Sequence, residues 1–251
     1  MHPRVNILGV RVSAVNMEQA LETVFGWVDR RESRYVCVTP AHVIMDCHWN
    51  PDLRSLFNDS GLTVPDGMSI VWLLKAKGFR NVGRVYGADL MLEVCRRSAD
   101  RKPRHFFYGG ETGVAEELAG RLRARFPDLR VAGTCTPPFR PMNELEDLGV
   151  VERINASKAD IVWVGISSPK QEQWMAGHLG KLTAPVLIGV GAAFDFLSGR
   201  KRQAPRWMQR AGMEWLFRLG TEPRRLWRRY AQYPLFAALV FAQWVGIKKY
   251  K

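Results

Sequence analysis

Hydrophobic positions along the chain fall into two alternating patterns. Short apolar runs rich in β-branched and aromatic residues occur at Val5–Val10, Tyr35–Val38, Leu62–Val64, His105–Tyr108, Arg130–Ala132, Ile161–Val164 and Val186–Val190. Longer stretches with helical spacing separate them, at Met17–Asp29, Pro51–Asp59, Met68–Lys77, Leu90–Asp100, Gly113–Phe126, Asn143–Ser157 and Pro169–Leu179. Strands alternating with helices of about 10–15 residues predict crossover units and a mostly parallel sheet covered on both faces. The runs FFYG, IVWVGI and VLIGVG are almost wholly apolar, as strands buried on both faces are. The expected fold class is therefore α/β, a mostly parallel sheet flanked by helices.

After Gly199 the pattern changes. In RRLWRRYAQY, residues Leu226, Trp227, Tyr230 and Tyr233 share one helical face, flanked by Arg224, Arg225, Arg228 and Arg229. Such a helix suits a lipid headgroup layer, with arginine stems lying along its apolar face. The following PLFAALVFAQWVGIKKY has about 13 apolar positions, short of the roughly 20 residues a membrane span needs. The tail is read as an interfacial anchor, the alternative being a helix docked on the protein's own core. This divides the chain into an α/β catalytic core over 1–199 and a basic, amphipathic helical C-terminal appendage over 200–251.

Charge sharpens that division. Of a net +13, the segment Arg200–Lys251 holds +11, with 13 Lys and Arg against only Glu214 and Glu222. The first 199 residues carry 24 basic and 22 acidic groups and are nearly neutral. A cationic tail on a neutral body points to a polyanionic partner: nucleic acid, an anionic membrane surface or a phosphorylated substrate. With 47% hydrophobic residues the chain can bury a substantial core, which excludes a disordered protein. The four cysteines (Cys37, Cys47, Cys95 and Cys135) form no C-x-x-C, which excludes a disulfide scaffold or zinc ribbon. Scattered cysteines and an N-terminus without a signal-peptide pattern lead to the expectation of a cytoplasmic protein.

Several strands end in glycine: Gly109 and Gly110 after FFY, Gly165 after IVWV, Gly191 after LIGV. In open α/β sheets ligands bind beyond the carboxyl ends of the strands, where helix N-termini offer N–H groups to phosphate. These glycines either serve that purpose or simply close tight turns. The dinucleotide fingerprint G-x-G-x-x-G is absent. Asp66, in Val64-Pro65-Asp66-Gly67-Met68, sits where a strand gives way to a helix, as an N-cap or as a general base. In Ser168-Pro169-Lys170-Gln171-Glu172 the proline suits a first helical position, so Lys170 and Gln171 are expected to project from a helix N-terminus toward a donor phosphate or sugar hydroxyl. Asp195 follows the turn Gly189-Val190-Gly191 and could accept from a ribose hydroxyl or a nucleobase N–H, and Arg84 precedes another helix. No D-x-D and no His-x-x-x-His occurs, so no metal is expected. His42, His48 and Cys47 are read as helix-face or core residues.

Taken in order, PDG, RVYGADL, FYGGETGVAEELAGRL, PPF, SPKQE, GVGAAFDFLSG, AP-x-W and EWLFRL-x-x-EP-x-R resemble the WecG/TagA/CpsF glycosyltransferases of bacterial surface polysaccharide synthesis. The resemblance runs from about Val5 to Tyr230 in motif order and spacing. It implies a Rossmann-like core and an inverting, metal-independent transfer of sugar from a nucleotide-sugar, usually UDP-linked, to a sugar on a polyprenyl diphosphate. It further implies Asp66 as the catalytic base and Thr39, Arg84 and Gln171 as substrate-positioning residues. Asp195 is implied as a donor-nucleotide contact and Phe139 as an aromatic that stacks on the base. Arg218 and Arg224 would face diphosphates. The chain departs from the family pattern at Ala41, where T-x-N is usual, at Ser167, where glycine is usual, and at Gln203, where arginine precedes Ala204-Pro205. These departures bear on the donor sugar, which the shared motifs do not specify.

Two other readings remain in view. Arginines interleaved with Trp and Tyr could track a nucleic-acid backbone with base stacking, although Leu235–Val245 is needlessly apolar for that. A catalytically inactive scaffold of the same fold would account for Ala41 and Ser167. The expected partners are thus a UDP-sugar, a polyprenyl-diphosphate-linked glycan and an anionic membrane surface, and not nucleic acid. The sequence leaves the oligomeric state open, homo-oligomers included.

Overall fold

The computed structural model describes residues 2–250. The chain opens with β1 (Arg4–Ile7), β2 (Val10–Ser13), α1 (Met17–Arg30) and β3 (Arg34–Thr39). Next come α2 (Ala41–Trp49), α3 (Pro51–Asp59), β4 (Leu62–Pro65), α4 (Met68–Ala76) and α5 (Gly87–Arg101). The middle of the chain holds β5 (Arg104–Gly109), α6 (Val114–Arg125), β6 (Arg130–Cys135), α7 (Glu144–Ala156), β7 (Ile161–Gly165), α8 (Lys170–His178) and β8 (Val186–Gly189). Five helices finish it: α9 (Ala193–Leu197), α10 (Arg206–Arg210), α11 (Glu214–Thr221), α12 (Pro223–Tyr230) and α13 (Tyr233–Trp244). Six strands form one sheet in the order β4-β3-β8-β7-β5-β6, and β1 pairs with β2 in a separate antiparallel ribbon. The pairs β3–β8, β8–β7, β7–β5 and β5–β6 are parallel, as the alternation of strands and helices predicts.

Two compact units divide the chain. The first comprises residues 1–16, 38–86 and 203–251, and the second residues 17–37 and 87–202. In the second, Phe106, Phe107, Val162, Trp163, Val164, Leu187 and Ile188 are buried on the parallel strands. Burial on both faces explains why those runs lack polar alternation. His105 is a polar member of this core. The Trp163 indole can only donate, and it does so to His105 Nδ1 at 3.0 Å. The ring proton is therefore on Nε2, 2.9 Å from Ser98 Oγ, which donates to the Val94 carbonyl at 2.7 Å. Burial lowers the His105 pKa to about 3, so this neutral chain of bonds persists.

Two features of the first unit differ from the sequence expectation. Val5–Val10 is not one strand but the two arms of a hairpin, with Ile7 opposite Val10. Leu8 and Gly9 have φ of 51° and 94°, the paired left-handed conformation of a two-residue turn that matches strand twist. A Cβ on Gly9 would lie 2.8 Å from Arg54 Cδ, so a side chain there would displace the Arg54 side chain as well as adopt an unfavourable φ. The alternation of strands and helices also did not mark out α2 as an element, although His42, His48 and Cys47 were read as helix-face or core residues. Its Ala41, His42, Val43, Ile44, Met45 and Cys47 are all buried. A helix covered on nearly every side has no polar face to reveal its period.

The C-terminal helices do dock on their own unit. Leu226 and Tyr230 of α12 and Phe236 and Leu239 of α13 are buried, and α13 packs on α2. The Gln243 side chain of α13 accepts the Leu8 N–H at 3.0 Å and donates to the Asn6 carbonyl at 3.1 Å. Other apolar side chains of the segment stay outside, among them Trp207, Trp227, Leu235, Phe241, Trp244 and Ile247. Among the described residues no helix is long and apolar enough to cross a membrane.

Candidate active site

Within the first unit, β4 ends at Pro65, which delivers Asp66 to the carboxyl end of a buried strand. The Asp66 N–H donates to the carbonyl of fully buried Thr39 at 3.3 Å, and Val85 N–H donates to Pro65 at 2.8 Å. These bonds tie the segment carrying Arg84 to the one carrying Asp66. Gly67, which has no side chain, holds the N-cap position of α4. The cap reading of Asp66 therefore falls away.

The Asp66 carboxylate lies 3.8 Å from the Arg84 guanidinium, which also donates through Nε to the Asp66 carbonyl. Arg84 bonds Glu214 of α11 as well, and its guanidinium lies 4.3 Å over the Tyr86 ring centre. Burial disfavours the Arg84 charge, but Asp66 and Glu214 outweigh it and hold its pKa above the ordinary value. Arg218 behaves alike: burial works against its charge, while Tyr230, Glu214, Tyr86 and Asp66 raise its pKa. Glu214 is the member of this cluster that the motifs did not single out. Its signal was there, as one of only two acidic residues in a strongly basic segment.

Asp66, Arg84, Glu214 and Arg218 line a cavity of about 600 Å³. His42, Trp215, Tyr230 and Tyr233 add a rim of rings beside them, with Tyr230 and Tyr233 centroids 5.2 Å apart. Burial, with Arg229 and Arg218 nearby, lowers the His42 pKa to about 3, so its ring is neutral at physiological pH. His42 stands next to Ala41, at the departure from the family's T-x-N, and is a cavity-wall residue rather than a plain core histidine. The cavity continues along α4 and α13 past Met68, Trp72, Leu73, Ala76, Phe236, Val240, Phe241 and Trp244. Its volume is within the usual range for small-ligand sites. Arg224 is exposed on α12 and is not part of the cavity wall.

The second unit carries the remaining candidates. Gln171 is buried rather than projecting: its amide accepts the Gly191 N–H at 3.0 Å and donates to Glu172 at 2.8 Å. It thus pins the turn leading to Asp195, whose carboxylate pairs with Lys201 at 2.9 Å. Lys170 is exposed, 6.0 Å from the ring centre of Phe139, which is 97% exposed. The Gly110 N–H donates to the Gly165 carbonyl at 3.1 Å and so is committed within the fold. Gly109 has φ of 134°, and a Cβ there would lie 2.6 Å from the Gly165 backbone, so close strand packing demands glycine. Ser167, where the family usually has glycine, has φ of 66°. Among the described residues no group of three or more His, Cys, Asp or Glu is arranged to hold a metal ion.

Comparison with known proteins agrees with these motifs. The model of the glycosyl transferase WecG/TagA/CpsF family matches residues 5–250. A protein of Bacillus spizizenii (strain ATCC 23059 / NRRL B-14472 / W23) is 28% identical over 220 residues, covering 88% of this chain and 82% of the relative. One from Bacillus subtilis (strain 168) is 25% identical over 217 residues, covering 86% and 82%. Both are named N-acetylglucosaminyldiphosphoundecaprenol N-acetyl-beta-D-mannosaminyltransferase.

Proposed function

The chain belongs to the WecG/TagA/CpsF family of glycosyl transferases, and we propose that it transfers a sugar from a UDP-linked donor to a sugar on a polyprenyl diphosphate, with inversion and without a metal. The observation that carries this reading is the Asp66 carboxylate in a cavity wall, braced by Arg84 and Glu214 beside Arg218. Inversion needs a single displacement and one base. Asp66 takes the proton of the acceptor hydroxyl as that oxygen bonds to the anomeric carbon. The bond from that carbon to the donor diphosphate breaks, and the electron pair leaves on the diphosphate.

Arg84 touches the base and Glu214 touches Arg84, neither the reacting atoms, and both act as positioning residues. Arg218 is the cation for the acceptor diphosphate, and Arg224 supplies further positive charge from the surface of α12. In the second unit we assign Lys170 to the donor diphosphate, Phe139 to the base and Asp195 to the nucleoside. Gln171 acts on the donor through the turn it holds, and buried Thr39 acts through its bond to the Asp66 backbone. Without a metal, stabilisation of the leaving group falls to such cations and to N–H dipoles. The exposed Trp and Leu side chains between 207 and 247, set among arginines, suit adsorption to an anionic membrane surface, where the lipid-linked acceptor resides.

The test is a screen of UDP-sugars against an N-acetylglucosaminyl polyprenyl diphosphate, starting with UDP-N-acetylmannosamine because of the relatives' names, with mass spectrometry of the product. Transfer that survives EDTA is expected. Activity lost on chelation and restored by Mg²⁺ or Mn²⁺ rejects the metal-free mechanism. Absence of transfer from every donor, with intact binding to a nucleic acid, supports the rival reading of the basic tail.

A further inference from the structure

The cavity that holds Asp66 does not end at its polar residues. It continues between α4 and α13, two helices whose cavity-facing positions follow helical spacing: Met68, Trp72 and Ala76 on one, Tyr233, Ala237, Val240 and Trp244 on the other. These stretches span about 12 Å and about 16 Å at 1.5 Å per residue. Both helices begin at the carboxylate end, with Asp66 just before α4 and Tyr233 feeling the Asp66 charge. Both end at a second, small apolar pocket shared by Leu73, Ala76, Val240 and Trp244. The wall therefore grades from charged and phenolic groups to a mostly apolar lining of Ile7, Leu73, Ala76, Val240 and Trp244, with Lys77 and Gln243 at its edge, over a few helical turns.

We propose that this groove between α4 and α13 binds the first hydrocarbon segment of an isoprenoid phosphate, with its anionic head at Arg218. The inference rests on the acceptor assigned above and adds a place for its lipid chain. A sugar alone would leave the apolar half of the groove without a function, and a purely apolar ligand would strand Arg84, Arg218 and two carboxylates against hydrocarbon. An amphiphile with a charged head and a greasy tail satisfies both ends. The small residues Ala76 and Ala237 are exposed along the groove, leaving width for a methyl-branched chain, and Trp72 and Trp244 flank it.

Photo-crosslinking with a diazirine-bearing isoprenyl diphosphate in detergent micelles tests this on the full chain, independently of turnover. Adducts are expected on the peptides holding 68–76 and 233–244. The variants Ala76→Trp and Ala237→Trp, which add bulk at exposed positions, should cut labelling by at least about fivefold while leaving Tm unchanged. In a transfer assay the same variants should raise KM about tenfold for a long-chain acceptor and leave kcat/KM unaltered for a water-soluble acceptor with a short alkyl chain. Equal losses on both acceptors would place the block at the sugar and overturn the groove. Labelling spread evenly over Trp207, Trp227 and other exposed apolar positions would make the groove mere bilayer contact and overturn it too. Loss of transfer in the wild type with labelling confined to α4 and α13 would reject the glycosyl-transfer reading and keep the groove.

Discussion

The two units spend their polar residues differently. In the second, the polar groups at the strand ends are turned onto the fold itself: Gln171 holds Gly191 and Glu172, and the Gly110 N–H holds Gly165. In the first, Asp66, Arg84 and Glu214 are braced against one another and, with Arg218, form the wall of a cavity. Motifs of equal prominence in the sequence thus do different work. Gln171 and the strand-end glycines make a rigid frame by bonding and packing, and the Asp66 cluster lines a cavity. Mutations should separate the two cleanly, one set changing chemistry and the other stability.

The largest effect is expected at Asp66. Asp66→Asn keeps size and shape and should lower turnover by about 10²–10⁴-fold, the usual contribution of a general base. Donor binding and Tm should hold, because Gly67 and not Asp66 caps α4. Turnover within a few-fold of wild type, measured under saturating donor, would remove Asp66 from the chemistry.

Gly165→Ala probes the other side of the comparison. Its new Cβ would fall 2.4 Å from the ring of Phe194, which is itself 1% exposed and has little room to move. Overpacking of this kind costs about 1–3 kcal/mol, a loss of several degrees in Tm for a chain of this size. Turnover of the folded protein should stay within a few-fold. A collapse of turnover at unchanged Tm would show that this strand end is part of the reacting site and that the contrast between the units is drawn wrongly.

Glu214→Gln comes next. Arg84 now shares its charge between two carboxylates. With Glu214 neutral, Arg84 should close on Asp66 and compete with the acceptor hydroxyl for it. A roughly tenfold drop in kcat with little change in KM is the expected split. Because the two residues act through one guanidinium, the double variant with Asp66→Asn should be no slower than Asp66→Asn alone. Additive losses would mean that Glu214 has a separate role.

How much of this was legible beforehand follows from where each signal resides. The helix at Pro51–Asp59 and the strands from Tyr35 to Val190 could be read because their periodicity and their breakers are local. The hairpin at Leu8-Gly9 was hidden because Leu gives no hint of a positive φ. The extent of α2 was hidden because burial on nearly every side erased its polar face, although His42, Cys47 and His48 were read as helix-face or core residues. In α12 the aromatic face predicted for lipid is divided: Leu226 and Tyr230 turn inward, and Trp227 stays exposed. Spacing along one helix does not say which neighbour a face will meet. The cavity carboxylate Asp66 could be picked out from its motif, but the Arg84–Glu214 pair could not. Those residues are 130 positions apart, and only tertiary packing brings them together.

The smallest effect concerns Ser167, in the turn that precedes α8. Its φ of 66° is in the left-handed region, where a Cβ crowds the following carbonyl oxygen and glycine does not. The family's usual glycine at this position is thus accounted for by backbone geometry, with no ligand needed to explain it. Ser167→Gly relieves that crowding but also gives the unfolded chain more freedom to lose, and the two contributions oppose each other. The relief is worth about 1–2 kcal/mol and the added entropy about 0.4–1 kcal/mol, so a net gain of about 0–1.5 kcal/mol is expected. Urea unfolding should show a slightly higher midpoint at unchanged m-value. Turnover should not change, because the turn carries Gln171, whose amide is already fixed to Gly191 and Glu172. A change in donor preference at unchanged stability would instead place Ser167 in contact with the sugar. The turn before α8 would then present a polar side chain to a ligand, as Lys170 and Asp195 are proposed to do, and the contrast between the units would narrow.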